Sequence, residues 1–291
     1  MLVSTKSVLV PVFTGILLTS TLFGANEKNY TYLALGDSIA FGLNPLLLVP
    51  NQPPPPPTAF TGYPEIVARE DQPLAAKKEV NASCPGETSS SFMTAGAPDY
   101  GCHSTGPQGQ PPFKTWVGLH TDYTGTQLEF AVSQLSANKH INLVTLGIGS
   151  NDVLLLLKNC QTTLDPLGCF GAGLPGVIQT YAGNLAQILA AIRQTGYNGR
   201  LVLVGTYSPT ADLIPVAAML NTVTTTVGAQ FGAIYADGFT AFQLAAAPSG
   251  GDVCKAGLLI QLNTSTCDIH PSPKGQDVLA ATVLAAIGDL K

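Results

Sequence analysis

Charge is what this sequence has least of. Thirteen basic and 18 acidic side chains make up 11% of its 291 residues, against roughly 25% in an average soluble domain. A coiled coil and a disordered chain both need many charges, so both classes are excluded. Basic residues are the scarcer sign, and a net charge of −5 leaves no positive field for nucleic acid. The 30 Gly and 22 Pro stay together below the roughly 25–30% that marks low complexity. Long apolar runs are missing too. The one candidate, Val8 to Leu18, is broken by Pro11 and Gly15 and is shorter than the ~20 residues that span a bilayer. With Lys6 before it and Thr19, Ser20 and Thr21 behind, the run has the layout of a secretory signal peptide. Residues 1–25 are expected to be that signal, cleaved near Gly24 or Ala25. Leu22 and Phe23 suit a cleavage site poorly, so an uncleaved anchor is the alternative.

Metal-ligand spacing is absent as well: there is no C-x-x-C and no His pair at helical spacing, which argues against a zinc site. The six cysteines, Cys84, Cys102, Cys160, Cys169, Cys254 and Cys267, fall into three sequential pairs. In an exported chain an even count reads as disulfides, with 15 connectivities open. Nearest-neighbour pairing (84–102, 160–169, 254–267) is the simplest, and such bridges would staple irregular loops.

What the chain does contain is an alternation of strand-like and helix-like segments. Tyr30 to Leu35 is β-rich and ends at Gly36; Lys78 to Ala82, Ile141 to Leu146, Leu201 to Gly205 and Ala233 to Tyr235 are the other expected strands. Ile141 to Leu146 (INLVTL) is continuously apolar or β-branched, as in a strand buried on both faces. Helices are expected over Gly62 to Glu70, Gln127 to Ala137, Pro175 to Thr195, Pro215 to Phe231 and Pro273 to Leu290. The five prolines at 53–57 require an extended exposed loop, and Gly96 to Gln110 reads as a loop held by its disulfide. Repeated βα units imply a parallel sheet covered by helices on both faces. With no internal repeat or linker, residues 26–291 are expected to form one domain.

Candidate chemistry sits where strands end, at the edge where open parallel sheets bind ligands. The segments are Gly36-Asp37-Ser38, Cys84-Pro85-Gly86-Glu87-Thr88, Gly147-Ile148-Gly149-Ser150-Asn151-Asp152 and, before the last helix, Asp268-Ile269-His270-Pro271. A serine, a glycine, an asparagine and a histidine converging there would supply nucleophile, base and oxyanion donors for acyl transfer.

These segments, LGDSIAFG, NASCPGETS, GIGSND and DIHPSPKG in that order, resemble the SGNH (GDSL-type) hydrolases, esterases and lipases with a flavodoxin-like three-layer α/β/α sandwich around a central parallel sheet. GDS alone is weak, but the set spans residues 35–275. The cysteine-bearing loops also look like those of secreted bacterial members. The resemblance implies Ser38 as nucleophile, His270 as general base, and an oxyanion hole from the N–H groups of Ser38 and Gly86 with the Asn151 amide. It implies no metal and no organic cofactor, an ester substrate, no nucleic-acid or obligate protein partner, and a monomer.

One position departs from the family pattern, which places the acid three residues before the histidine. Here residue 267 is Cys and the aspartate is Asp268, two before His270. Asp268 either still reaches Nδ1 of His270 or is a turn residue, with a backbone carbonyl orienting the ring. Asp37 is expected to fix the turn before Ser38, and Asp152 to cap a helix starting at Val153. A catalytic role for Glu87 is disfavoured, and His103, His120 and His140 read as surface residues. The sequons at Asn29, Asn81 and Asn263 matter only in a host that glycosylates. Of two apolar stretches near the motifs, Val153 to Leu157 reads as core. Leu46, Leu47 and Leu48, bracketed by Pro45 and Pro50, are the candidate lip for an acyl chain. A carbohydrate O-acetylesterase and a catalytically silent binding protein are the competing functions. With so few basic residues, neutral esters are favoured over anionic ones.

Overall fold

A computed structural model describes residues 31–70, 79–106 and 109–288. The expected signal segment and the Asn29 sequon lie outside these residues. Strand β1 (Thr31–Gly36) shows why the chain folds around a covered sheet. Tyr32 and Ala34 pack into one core and Leu33 and Leu35 into another, all four fully buried, as the two-residue period of a strand with both faces covered requires. A short helix α1 (Ser38–Phe41) follows, and then α2 (Tyr63–Glu70), β2 (Glu79–Asn81), α3 (Ser89–Met93), α4 (Phe113–Trp116) and α5 (Gln127–Ala137). The second half runs β3 (Ile141–Gly147), α6 (Ser150–Cys160), α7 (Pro166–Gln194), β4 (Arg200–Val204), α8 (Ile214–Gln230), β5 (Ile234–Ala236) and α9 (Gly238–Ala246). An antiparallel pair, β6 (Leu259–Gln261) and β7 (Cys267–Pro271), precedes the last helix, α10 (Pro273–Ile287).

The five main strands are parallel in the order β2-β1-β3-β4-β5, the flavodoxin-like arrangement whose switch point lies between β1 and β3. Helices α2, α9 and α10 cover one face, packing Ile66, Val67, Phe242, Leu279 and Val283 against Tyr32, Leu143 and Val202. The other face carries α3 and α5 to α8, with Leu135, Leu185, Ile188, Ile192 and Leu220 against Leu33, Val144 and Leu201. The result is the three-layer α/β/α sandwich.

Sequence periodicity located β1 to β5 and the helices α2, α5, α8 and α10 to within a residue or two over their described parts. Two helix starts need correction. Helix α7 begins at Pro166, not Pro175, because Asp165 caps its first turn through the Gly168 N–H (2.9 Å) and the Cys160–Cys169 disulfide ties that turn to α6. Pro175 sits inside it on an exposed face with Gly171, so the carbonyl it leaves unpaired is open to water. Helix α6 begins at Ser150, not Val153, and Asp152 is therefore no cap. It lies buried in the first turn and accepts from the Ser89 N–H (2.9 Å) and Oγ (2.5 Å). The disulfides are the nearest-neighbour set, Cys84–Cys102, Cys160–Cys169 and Cys254–Cys267. Among the described residues no helix is long and apolar enough to cross a membrane.

Candidate active site

The switch point is built from glycine outward. Gly36 ends β1 at φ 142°, and a Cβ there would meet the Gly147 carbonyl oxygen of β3 at 2.4 Å, so only glycine lets the two strand ends close together. The chain then turns into α1, with the Asp37 side chain accepting from the Ile39 N–H (3.0 Å). Ser38 is the first residue of that helix, and its N–H has no acceptor within the helix. Across the switch point Asn151 leaves the end of β3 on the first turn of α6. Its Nδ2 donates to the Glu87 carbonyl at 3.0 Å and lies 3.4 Å from Asp37 Oδ2. The loop carrying Gly86 and Glu87 is bound to the end of β1 by Cys84 N–H to Gly36 O (3.0 Å). Gly86 adopts φ 87° with the Tyr100–Gly101 backbone 2.6 Å from where a Cβ would stand. Three of the four segments thus meet within one hydrogen-bonded patch.

The fourth arrives on β7. His270 Nε2 lies 2.9 Å from Ser38 Oγ, and Nδ1 is hydrogen-bonded to Asp268 Oδ1, which also accepts the His270 backbone N–H at 3.0 Å. A carboxylate only accepts, so Nδ1 carries the proton and the Nε2 lone pair faces the serine hydroxyl. The two-residue spacing has a simple cause: in an extended strand residues i and i+2 project from one face. The strand is itself anchored, by the Cys254–Cys267 disulfide beside Asp268 and by Tyr207 Oη donating to the Ile269 carbonyl (2.5 Å). The carboxylate, and not a backbone carbonyl, therefore holds the ring.

The electrostatics differ sharply between the two aspartates. Burial pushes the Asp268 carboxyl up, but hydrogen bonds from the His270 ring, the attraction of that ring and two backbone N–H groups outweigh it and hold Asp268 below its ordinary value. Asp37 is fully enclosed, and desolvation carries it up to about 7 against the pull of the Ile39 N–H and His270. A carboxyl raised on folding takes up a proton as the chain folds, so its contribution makes stability fall as pH rises from about 4 to about 7. Glu79, raised to about 8 by burial and by Glu65, acts in the same direction. Asp37→Asn is expected to flatten the decline by up to about 4 kcal/mol. Urea unfolding at pH 4.5 and 7.5 measures it, and an unchanged difference would contradict the assignment.

A cleft begins at Ser38 and His270 and runs between α6 and α8. Ser150, Val153, Leu154 and Leu157 line one wall, and Leu213, Val216, Ala217 and Leu220 the other. The first set follows i, i+3, i+4, i+7, one helix face. Val153 to Leu157, read from sequence as core, thus gives the cleft its apolar wall, although Val153 is itself buried. Leu46, Leu47 and Leu48 do not line it. Asn44 caps a tight turn over Pro45–Leu47, Leu48 is drawn onto the Phe41–Phe60 cluster, and Leu46 and Leu47 are exposed.

Other readings are settled by burial. His120 is no surface residue: its ring packs on Phe41, and Nε2 lies 3.0 Å from the Phe41 carbonyl and 3.7 Å from Glu65. His103 and His140 are exposed. The Asn81 sequon is closed, its amide donating to Ala40 O and Glu65, whereas Asn263 is exposed.

A serine, an imidazole and a carboxylate stand in line at the switch point of a flavodoxin-like sheet, an arrangement suited to acyl transfer. The chain belongs to the GDSL-like lipase/acylhydrolase family, whose model matches residues 34–278. Its class of activity is carboxylic ester hydrolysis. The fold is similar to that of an extracellular lipase from Streptomyces rimosus (18% identity, 88% of this chain and 99% of that one, TM-score 0.55). Similar too are phospholipase A1 from Streptomyces albidoflavus (19%, 88% and 98%, 0.53) and an acetylxylan esterase from Geobacillus stearothermophilus (16%, 89% and 94%, 0.51). Among curated proteins none matches the sequence significantly.

Proposed function

We propose that the protein is a secreted serine esterase that cleaves neutral esters with an apolar acyl part through an acyl-enzyme on Ser38. The observation that carries this reading is the line from Asp268 through His270 to Ser38 Oγ, 2.9 Å at the last step, opening into an apolar cleft. The hydroxyl proton passes to His270 Nε2 as Oγ bonds to the ester carbonyl carbon. The oxyanion so formed is met by the N–H groups of Ser38 and Gly86 and by the Asn151 amide, each such donor being worth ~3 kcal/mol. The C–O bond to the alcohol then breaks, and the alcohol leaves with the proton from Nε2. A water repeats the sequence: its proton goes to Nε2, its oxygen bonds to the acyl carbon, and Ser38 departs with the proton as the carboxylic acid is released. Asp268, kept ionised by its bonds to His270, stabilises the imidazolium in both halves.

The apolar α6–α8 cleft and the lipase and phospholipase A1 among the structural neighbours support the reading of an apolar acyl part. A carbohydrate O-acetylesterase is the second reading, favoured by the acetylxylan esterase neighbour. Three disulfides suit an oxidising compartment, which supports export by residues 1–25. Hydrolysis of p-nitrophenyl esters of increasing acyl length separates the readings. We expect kcat/KM to rise about three- to fourfold per added CH₂ until the cleft is filled. Ala217→Trp is expected to cost tenfold or more on the longer esters and less than about threefold on acetate. A parent preference for acetate alone would favour the carbohydrate reading, and an unaltered length profile in Ala217→Trp would remove the cleft from acyl binding.

A further inference from the structure

Gln127 is fully buried at the start of α5, yet it does not cap that helix, a task met by Thr126. Its amide faces the sheet. Oε1 accepts the Gly36 N–H at 2.6 Å, while Nε2 donates to the Gly36 carbonyl at 3.0 Å and to Glu87 Oε2 at 3.1 Å. Gly36 stands two residues before Ser38. Glu87, equally buried, stands one after Gly86. The Glu87 carboxyl also accepts from Ser91 Oγ (2.6 Å) and lies 3.7 Å from His103 Nδ1, and its backbone carbonyl holds Asn151 Nδ2. One side chain therefore connects the segment bearing the Ser38 N–H to the segment bearing the Gly86 N–H, and Glu87 carries the connection on to the Asn151 amide.

We infer that Gln127, acting through Glu87, is a positioning residue that sets the spacing of the three oxyanion donors; this rests on the proposed role of Ser38. The physical need is definite. Donors stabilise a developing oxyanion only if they are fixed before the charge appears, and a misplacement of about 1 Å costs on the order of 10²-fold. Ser38 and Gly86 offer backbone groups on separate segments, and near the site the backbone joins those segments through Ala82 N–H to Ala34 O and Cys84 N–H to Gly36 O. The Gln127 amide bridges the same gap, with two bonds to Gly36 and one to Glu87, in a buried setting where such bonds are strong.

Gln127→Met keeps the length of the side chain and removes all three bonds. Per active site titrated with a p-nitrophenyl phosphonate, kcat is expected to fall about 10- to 100-fold with KM within about twofold. The Kd of an alkyl boronic acid, which forms a tetrahedral adduct on the serine, should rise by the same factor. Gln127→Asn, which keeps the amide but cannot span Gly36 and Glu87, should behave alike and covers the case in which the Met variant does not fold. Combined with Asn151→Ala, either variant should lose less than the product of the single losses, since both act on one hole. A purely structural Gln127 would lower the titratable fraction and leave kcat per site at the parent value; that result, or multiplicative losses in the double variant, would overturn the inference. Ser38→Ala separates the layers. If it is inactive while the Gln127 variants turn over normally, the positioning role alone fails; if it retains turnover, the reading beneath it fails as well.

Discussion

Ser38→Ala is expected to lower kcat for p-nitrophenyl esters by about 10⁴-fold or more. The substitution removes the atom that would bond to the acyl carbon, so the reaction must fall back on direct attack by water in a site that still binds and polarises the ester. A residue of catalysis over the uncatalysed rate, about 10³–10⁴-fold, is expected to survive from the oxyanion donors. Stability should hardly move, because the side chain is small and contributes the single bond to His270 Nε2, worth about 1 kcal/mol. Loss of activity with retained folding distinguishes a nucleophile from a structural serine. Steady-state kinetics beside thermal unfolding measures both.

The second large effect concerns the acid. Asp268→Asn is expected to lower kcat by about 10³- to 10⁴-fold with KM little changed. An amide at this position would present its N–H₂ or its oxygen to Nδ1, and only the oxygen preserves the tautomer that leaves the Nε2 lone pair on Ser38. Even then the negative charge that would stabilise the imidazolium is gone. If the ring were held chiefly by backbone, the loss would stay under about tenfold, and Asp268 would leave the catalytic group. The burial of both side chains, 14% exposed for His270 and 24% for Asp268, strengthens the pair relative to an open surface one.

Asp268 also marks the boundary of what the sequence made legible. The residues Ser38, Gly86, Asn151 and His270 were marked by motif and by position at strand ends, because a parallel sheet brings its carboxyl edges together wherever they fall in the chain. The acid was ambiguous because its reach depends on local conformation: two residues apart is out of register on a helix and in register on a strand, and β7 is a short strand of the separate β6–β7 pair that no periodicity in the sequence announced. The cleft is hidden in the sequence for a related reason. Val153, Leu154 and Leu157 have the pattern of a buried helix face, and pattern alone does not say whether the opposing wall is packed or open. Leu46 to Leu48 were marked by apolarity near the nucleophile, but their direction follows from the Asn44 cap. Gln127 carried no signal at all, since a lone glutamine after a capping threonine is ordinary and its role arises from contacts to residues 36 and 87. The α7 start was hidden because Pro175 is read as a helix beginning, whereas Asp165, Pro166 and the Cys160–Cys169 bridge begin the helix earlier.

The proposed reaction requires a covalent acyl group on Ser38. Mixing the protein with excess p-nitrophenyl ester, quenching in acid within the first turnovers and measuring the mass of the intact chain and its peptides tests it directly. We expect the mass to rise by one acyl group, the increment to map to the peptide containing Ser38, and Ser38→Ala to show none. Steady turnover with no trapped acyl group, or an increment on another residue, would exclude Ser38 as the nucleophile.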